Sequence, residues 1–293
     1  HPKKYEVVIS NNRTEIWHVN LKTGKGILVE KNKFVEEQSM NWSPCGTWLA
    51  YKGADTKEKS GIKVWNSVTK KQRFLLSPVL RDKSPVFDPN GDYLYFIGTR
   101  EFNPVYCETH FDMSFPAATK PYAVCLRKDV ISPMDKYLDF EVEEEEEEAK
   151  ENNQKKTNHR KKKSAKKKKS QEEDEDLVKI DFDGIDQRIL SLGIELANYH
   201  SLYVTKENLL FIKSSISPIN PDSHWMDDEG SYDLCRFNFK SKKVKVFLSD
   251  VEAVVLSKSL KYVLLETDGE LRLLDVNSKP TEGESNNNKD GWI

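Results

Sequence analysis

Cysteine is scarce in this sequence, and what there is lies scattered. The 293 residues hold Cys45, Cys107, Cys125 and Cys235, with no C-x-x-C pair among them. Zinc sites and disulfide frameworks need closely spaced or dense cysteines, so buried free thiols in a reducing, cytoplasmic compartment are expected. Histidine is just as thin. His1, His18, His110, His159, His200 and His224 stand apart, and none has a second histidine at i+2 to i+4. That excludes the usual spacing of a histidine metal site, and no cofactor is expected. No run of about 18 apolar residues occurs, so no transmembrane helix is predicted. No signal peptide is visible either. The nucleophile elbow G-x-S-x-G is missing, and Gly24-Lys25-Gly26 lacks the spacing of a phosphate loop and reads as a hairpin turn.

A surplus of one charge sign is also missing. Acidic residues number 48 and basic residues 46, yet charged residues make up 32% of the chain against only 37% hydrophobic. The excess sits in residues 141–176, which hold 13 Asp/Glu and 11 Lys/Arg and leave 35 of each sign elsewhere. The balanced remainder gives no electrostatic case for nucleic acid or membrane as a partner. Within 141–176, acidic Glu143–Glu148 and Glu172–Asp176 flank the basic runs Arg160–Lys163 and Lys166–Lys169. Such a stretch has little apolar surface to offset the entropy of ordering, so a disordered insert is predicted. The basic run has the composition of a nuclear-localisation or nucleic-acid patch. A solvated polyampholyte loop, whose acidic flanks screen the centre, accounts for it with less.

What the sequence does contain is a repeat. Trp42-Ser43-Pro44-Cys45-Gly46-Thr47-Trp48-Leu49-Ala50-Tyr51 aligns with Phe87-Asp88-Pro89-Asn90-Gly91-Asp92-Tyr93-Leu94-Tyr95-Phe96, 45 residues on. In each copy proline presets φ in a turn, glycine supplies a residue that tolerates φ > 0, and an apolar strand follows. Tyr93–Ile97 is apolar at every position, which suits a strand covered on both faces. Hairpins recur beside these units: Glu15–Asn20 with Gly26–Val29, Lys63–Asn66 with Arg73–Leu76, and Asp233–Asn238 with Lys243–Leu248. Leu271–Val276 begins a fourth such hairpin, cut short before its partner. Leu209–Lys213 and Tyr262–Glu266 take the place of the apolar strand. Periods of this length with short strands and regular turns predict an all-β protein, an incomplete β-propeller of four to five blades of four-stranded antiparallel sheet. The blades fall near Tyr5–Val29, Glu36–Leu76, Ser84–Leu192, Tyr199–Leu248 and Ala253–Val276.

One stretch carries a resemblance. Phe87-Asp88-Pro89-x-Gly91-x-Tyr93-Leu94-Tyr95-Phe96, then Arg100-x-Phe102-Asn103-Pro104-Val105-Tyr106, then Phe111 and Ser114-Phe115-Pro116 up to Pro121-Tyr122, resembles the tricorn-type serine peptidases within their seven-bladed propeller. The likeness resumes beyond the insert at Ile180-Asp181-x-Asp183-Gly184-Ile185-x-x-Arg188, similar to the family phrase I-D-x-(D/E)-G-I-x-x-R. The insert is therefore an interruption inside a blade. The resemblance implies a cytoplasmic peptidase that cleaves short peptides released by the proteasome and assembles as a hexamer. It also implies a non-catalytic propeller that frames a peptide channel, with a PDZ domain and the catalytic serine machinery after it. No position here matches the catalytic motifs, so no catalytic residue is carried over. His1 in place of Met, and the abrupt Gly291-Trp292-Ile293, suggest a piece of a longer chain: blades over 1–140 and 177–278 around the insert, and a linker over 279–293 toward the later domains. A free-standing propeller acting as an interaction scaffold is the alternative.

Three residues stand out as possible channel or loop contacts: Arg100, Tyr106 and His110. Arg100 can pair a peptide carboxylate or, with less demanded of the loop, form an internal ion pair to the next blade. His110 can line a channel or simply pack in its loop. The aromatics Phe102, Tyr106, Phe111, Phe115 and Tyr122 form either a covered local cluster or an exposed binding patch. His224-Trp225-Met226-Asp227-Asp228-Glu229, a carboxylate cluster in a Pro/Ser loop, reads as a solvated turn.

Overall fold

The computed structural model describes residues 1–34, 39–107, 112–115, 117–136, 177–214, 232–267, 269–278 and 291–292. The charged insert 141–176 and the His224–Glu229 cluster lie outside the described residues. Among the described residues, everything regular apart from one 3-10 turn, Ile185–Arg188, is strand.

Among the described residues the strands group into five successive antiparallel blades, the second and third joined into one continuous sheet. The first holds β1 (Glu6–Ser10), β2 (Glu15–Asn20) and β3 (Gly26–Lys31). The second holds β4 (Met40–Trp42), β5 (Trp48–Ala54), β6 (Ser60–Asn66) and β7 (Gln72–Phe74). The third begins with β8 (Arg81–Phe87) and β9 (Tyr93–Thr99), then sends out a separate hairpin of β10 (Val105–Cys107) and β11 (Asp112–Ser114). It ends with β12 (Lys120–Cys125) and β13 (Ile189–Ser191). The fourth holds β14 (Asn198–Val204), β15 (Asn208–Ser214), β16 (Tyr232–Asn238) and β17 (Lys243–Leu248). The fifth holds β18 (Ala253–Leu256), β19 (Tyr262–Thr267) and β20 (Glu270–Asp275). A single parallel bridge, Ser60 to Arg81, joins the second and third sheets at one corner.

Consecutive sheets pack face to face, which is why β5, β9 and β15 bury apolar side chains on both faces. Along β9, Tyr93, Tyr95 and Ile97 face the layer shared with Phe211 and Phe237 of the fourth sheet. Leu94 and Phe96 face the opposite layer, shared with Ala50, Ile62 and Val64 of the second sheet. The same division recurs on β5, where Leu49 and Tyr51 meet Ile16 of the first sheet and Ala50 meets the third. On β15, Leu209 and Phe211 face one way and Leu210 the other, into the layer with Val263 and Leu265 of the fifth sheet. Side chains alternate as in any strand, but here both faces bury apolar surface. Successive sheets in this arrangement are the blades of a β-propeller.

The turns ahead of β5, β9 and β19 repeat one device. Asp88 accepts the backbone N–H of Tyr93 on Oδ1 at 2.8 Å, Ser43 Oγ accepts that of Trp48 at 3.0 Å, and Ser257 Oγ accepts that of Tyr262 at 3.1 Å. Gly46 and Gly91 both take φ of 77°, a left-handed setting that a Cβ disfavours. His1-Pro2 adds a copy that sequence comparison did not isolate. The His1 amino group donates to Glu6 O at 2.9 Å, just as Ser43 N donates to Trp48 O at 2.8 Å. Lys3-Lys4 stand where the x-Gly pair marks the other turns. By this alignment β1 is a second strand, and the first sheet as described lacks a first one. The outer hairpins share a second device: Asn20 and Asn66 each accept two backbone N–H groups from residues two and three ahead, and Asn238 accepts one three ahead.

The expected truncation after Leu271–Val276 needs amending. Trp292 pairs with Arg272 at an isolated antiparallel bridge, and Gly291 O accepts Leu273 N at 2.7 Å. The outer edge of β20 is therefore met by residues well beyond Val276.

The two stretches either side of residues 137–176 are tied together. Asp181 N donates to Leu126 O at 2.8 Å, and Asp181 Oδ2 accepts Lys128 N at 2.9 Å. Arg188 spans the same neck, reaching Cys125 O at 3.0 Å and Asp183 O at 3.1 Å. β13 then pairs with β12, completing the third blade from both sides of the charged segment.

Candidate functional site: an apolar cleft and an exposed hairpin

The first strands of four blades, β4, β8, β14 and β18, converge on one cleft of about 650 Å³. Its walls are apolar or hydroxylated, with Met40, Trp42, Val86, Leu202 and Val254 among them, and its charged members are Asp88 and Lys258. The walls are held in place by side chains that cross from one blade to the next. Ser39 Oγ accepts Ser84 N at 2.9 Å and Asn41 Oδ1 accepts Phe87 N at 3.0 Å, linking the second blade to the third. Ser84 Oγ donates to His200 O at 2.9 Å, and Tyr203 OH donates to Val254 O at 3.0 Å, carrying the link through the fourth to the fifth. β8 and β14 both carry a register shift at this point, between Lys83 and Val86 and between Tyr199 and Leu202. Bulges of this kind bend a strand and re-aim its side chains. Nothing in the sequence marked these positions as a site, because a wall built from four strands far apart in the chain leaves no local motif.

Strand direction distinguishes the two ends of the blades. First-to-second turns and third-to-fourth hairpins lie at one end, so the segment between Leu126 and Val178 leaves from there. Second-to-third connections lie at the other, and that of the third blade is the Arg100–Thr119 loop. The ladder pairing of Arg81 with Thr99 and of Lys83 with Ile97 puts this loop at the Arg81 end of β8, whereas the cleft is lined from Ser84 onward to Pro89.

Arg100 is brought into an internal ion pair. Its Nε and NH2 reach Asp82 Oδ1 and Oδ2 at 3.0 and 2.6 Å, and its guanidinium lies 5.1 Å from the Phe96 ring centre. The partner belongs to β8 of the same blade, which corrects the expectation of a bond to the next one: β8 and β9 are adjacent, and Asp82 points along the shared face. Both prongs of the guanidinium are occupied, so it is not left open for a peptide carboxylate. Asp82 is 1% exposed, and its pKa is raised because burial outweighs the neighbouring Arg100. Tyr106 stands on the hairpin and is 59% exposed. His110 lies outside the described residues.

Sequence left the covered and exposed readings of the aromatic loop equal. The structure exposes it: Phe102 is 79% exposed, and Tyr106, Met113 and Phe115 are exposed with it. Of the described members of the group, Tyr122 is the buried one, stacked on Phe96 at 5.7 Å, while Phe111 lies outside the described residues. Burial raises the pKa of the Tyr122 hydroxyl, which donates to Glu101 at 3.1 Å.

Two buried polar groups between the first and second blades were not singled out from sequence. His18 Nε2 meets Glu6 Oε2 at 3.1 Å, with the Trp65 ring 5.2 Å away, and burial lowers the His18 pKa. Glu30 accepts the Tyr51 hydroxyl at 2.6 Å and pairs with Lys63. The thiols of Cys125 and Cys235 are free and buried, and burial raises that of Cys235 to about 11. Among the described residues no group of three or more His, Cys, Asp or Glu is placed to hold a metal ion. No described helix is long and apolar enough to cross a membrane, which says nothing of a β-barrel.

Comparison with known proteins places these features. Residues 1–277 match the family model of the tricorn protease second beta propeller domain. A putative Tricorn-like protease C-terminal subunit of Sulfurisphaera tokodaii is 27% identical over 279 residues, covering 95% of this chain and 28% of its own length. A tricorn protease homolog of Saccharolobus solfataricus is 28% identical over 280 residues, with 95% and 23% covered. The chain thus spans about a quarter of these relatives' length. Among solved structures, that of the tricorn protease superposes with a TM-score of 0.71 at 16% identity, over 93% of this chain and 24% of the other. TolB from Acinetobacter baumannii gives 0.52 at 13% identity, over 94% and 50%. At such identities these two likenesses speak for the fold.

Proposed function

The chain belongs to the tricorn protease second β-propeller family, and from that we propose that it is the non-catalytic propeller portion of a cytoplasmic serine-type peptidase that degrades short peptides downstream of the proteasome. In this reading the first strands of the blades frame a passage for peptides, and the hydrolytic serine machinery, a PDZ domain and the hexamer contacts belong to the longer polypeptide. The observation that carries the proposal is the cleft. Its walls are apolar and hydroxylated with few charges, which suits transit of peptides of varied sequence rather than tight retention of one. The blade-to-blade bonds through Ser39, Ser84 and Tyr203 give it fixed walls without contributing a nucleophile.

The test narrows the cleft in the full-length protein. Ser201→Trp combined with Val255→Trp adds bulk at two lining positions of different blades. The expected result is a fall of about tenfold or more in kcat/KM for an octapeptide, with a chromogenic dipeptide hydrolysed as before. Undiminished octapeptide cleavage, or an equal loss on both substrates, overturns the passage.

A further inference from the structure

We propose that the pocket formed where the second and third blades touch is a capture site for acidic peptide segments, those carrying several carboxylates close together.

The pocket measures about 300 Å³ and is lined by Lys52, Lys57, Glu58, Lys59 and Arg81, with Thr56 among its other walls. Backbone bonds fix its frame. Ser60 and Arg81 make a parallel bridge between the two blades, and Ser60 N donates to Leu80 O at 2.9 Å. Lys57 and Lys59 stand on the turn from β5 to β6. There Thr56 Oγ1 accepts Glu58 N at 3.3 Å and Lys59 N at 3.1 Å, and Asp55 N donates to Lys59 O at 2.9 Å. Lys52 stands on β5, its N–H donating to Ser39 O at 3.4 Å.

Charge identifies the occupant. Lys52, Lys57, Lys59 and Arg81 set four positive charges against the one negative charge of Glu58, an excess of three. None of the four forms an ion pair among the described residues, whereas Lys63 and Arg100 on the same blades are matched with Glu30 and Asp82. Like charges crowded round one pocket repel, and a ligand bringing two or three carboxylates relieves that repulsion. Ammonium and guanidinium groups both bond carboxylates strongly, and a single carboxylate would leave most of the excess in place. The location favours a peptide over a free ion. Arg81 lies three residues ahead of Ser84, roughly 10 Å along β8, and Ser84 begins the wall of the cleft. Ser39, which accepts Lys52 N, lines the cleft as well. An extended decapeptide is roughly 33 Å long and spans both.

The inference rests on the reading of the cleft as a peptide passage, and one set of measurements separates the two. Rhodamine-labelled decapeptides of D-residues, which are not hydrolysed, are titrated into the full-length protein and followed by anisotropy. One is neutral with an amidated end, one is amidated and carries three Glu, and one is neutral with a free terminal carboxylate. Lys57→Gln, Lys59→Gln and Arg81→Gln are combined in one variant, and because all three are exposed its thermal melt stays that of the parent. The three-Glu peptide should bind about tenfold or more tightly than the neutral one, an advantage lost in the triple variant and at about 0.5 M salt. Glu58→Gln should tighten it by about twofold or more. Equal binding of all three peptides overturns the proposal, and so does an advantage that survives the triple substitution. A free terminal carboxylate that binds as tightly as three Glu overturns it in favour of a chain-end site, and displacement by equimolar inorganic phosphate in favour of a small-anion site. If acidic peptides bind only after Glu36→Gln with Glu37→Gln, the chain fills the pocket itself and the proposal falls. If a neutral L-octapeptide is not hydrolysed while the three-Glu peptide still binds through the pocket, the peptidase reading falls and the capture site stands.

Discussion

Arg100 and Asp82 meet side by side on neighbouring strands of the third blade, with NH2 to Oδ2 at 2.6 Å and the carboxylate 1% exposed. Removing one partner of such a pair strands a buried charge. Arg100→Ala should lower stability by about 3 kcal/mol, read as a shift in urea midpoint at constant m-value. Combining it with Asp82→Asn should recover part of that loss, since a neutral amide is easier to bury. A single Arg100→Ala that leaves the midpoint in place shows the pair to be idle.

Gly91 and Gly193 both adopt left-handed φ, at 77° and 69°, but their surroundings differ. A Cβ on Gly91 would lie 2.3 Å from Val178 Cγ2, whereas nothing stands within 4 Å at Gly193. Gly193→Ala should cost about 1 kcal/mol for the backbone alone. Gly91→Ala should cost clearly more, because the turn and the exit of the insert compete for the same space. Equal losses in calorimetry would show that the Val178 contact yields freely.

His18 makes stability depend on pH. Its folded pKa lies below the ordinary histidine value of 6.5, chiefly through burial, so the unfolded chain takes up the proton first as pH falls. The unfolded state then binds more protons, and stability declines as pH drops through about 6.5 toward the folded value, being complete above it. Glu6 and the nearby Lys4 and Lys70 act on the same ring. His18→Gln, which keeps a donor for Glu6, should shrink the difference in urea midpoint between pH 7.5 and 5.5. A difference as large as in the parent would assign the acid sensitivity elsewhere.

The neck at Leu126, Asp181 and Arg188 predicts how the chain behaves when cut. β12 and β13 remain paired, and Trp48 Nε1 still donates to Val178 O at 3.0 Å. Protease nicking within 141–176 should therefore give two fragments that elute together and melt as one. Separation of the fragments under native conditions would mean that the covalent connection, rather than the ladder, joins the halves.

The fifth sheet has one face with no neighbouring sheet among the described residues, where Val255, Tyr262, Leu271 and Leu273 are exposed. The 293 residues alone should dimerise or aggregate, and charged substitutions at Leu271 and Leu273 should suppress this in light scattering. A monomer with a sharp melt before any substitution contradicts it.

Residue order alone determined the blades. A turn of fixed chemistry followed by a strand apolar at every position returns at Trp42 and Phe87, and local signals of that kind survive in one dimension. The same holds for the outer hairpins at Asn20, Asn66 and Asn238, each closed by its own side chain. Tertiary structure alone decided the cleft, the choice of Asp82 as the partner of Arg100, and the exposure of Tyr106 and Met113. Those depend on which strands become neighbours across blades, and a stretch such as Phe102–Phe115 reads the same whether a layer of protein covers it or water does. The seat of Trp292 against Arg272 belongs with them, because a single bridge made far along the chain has no period to announce it.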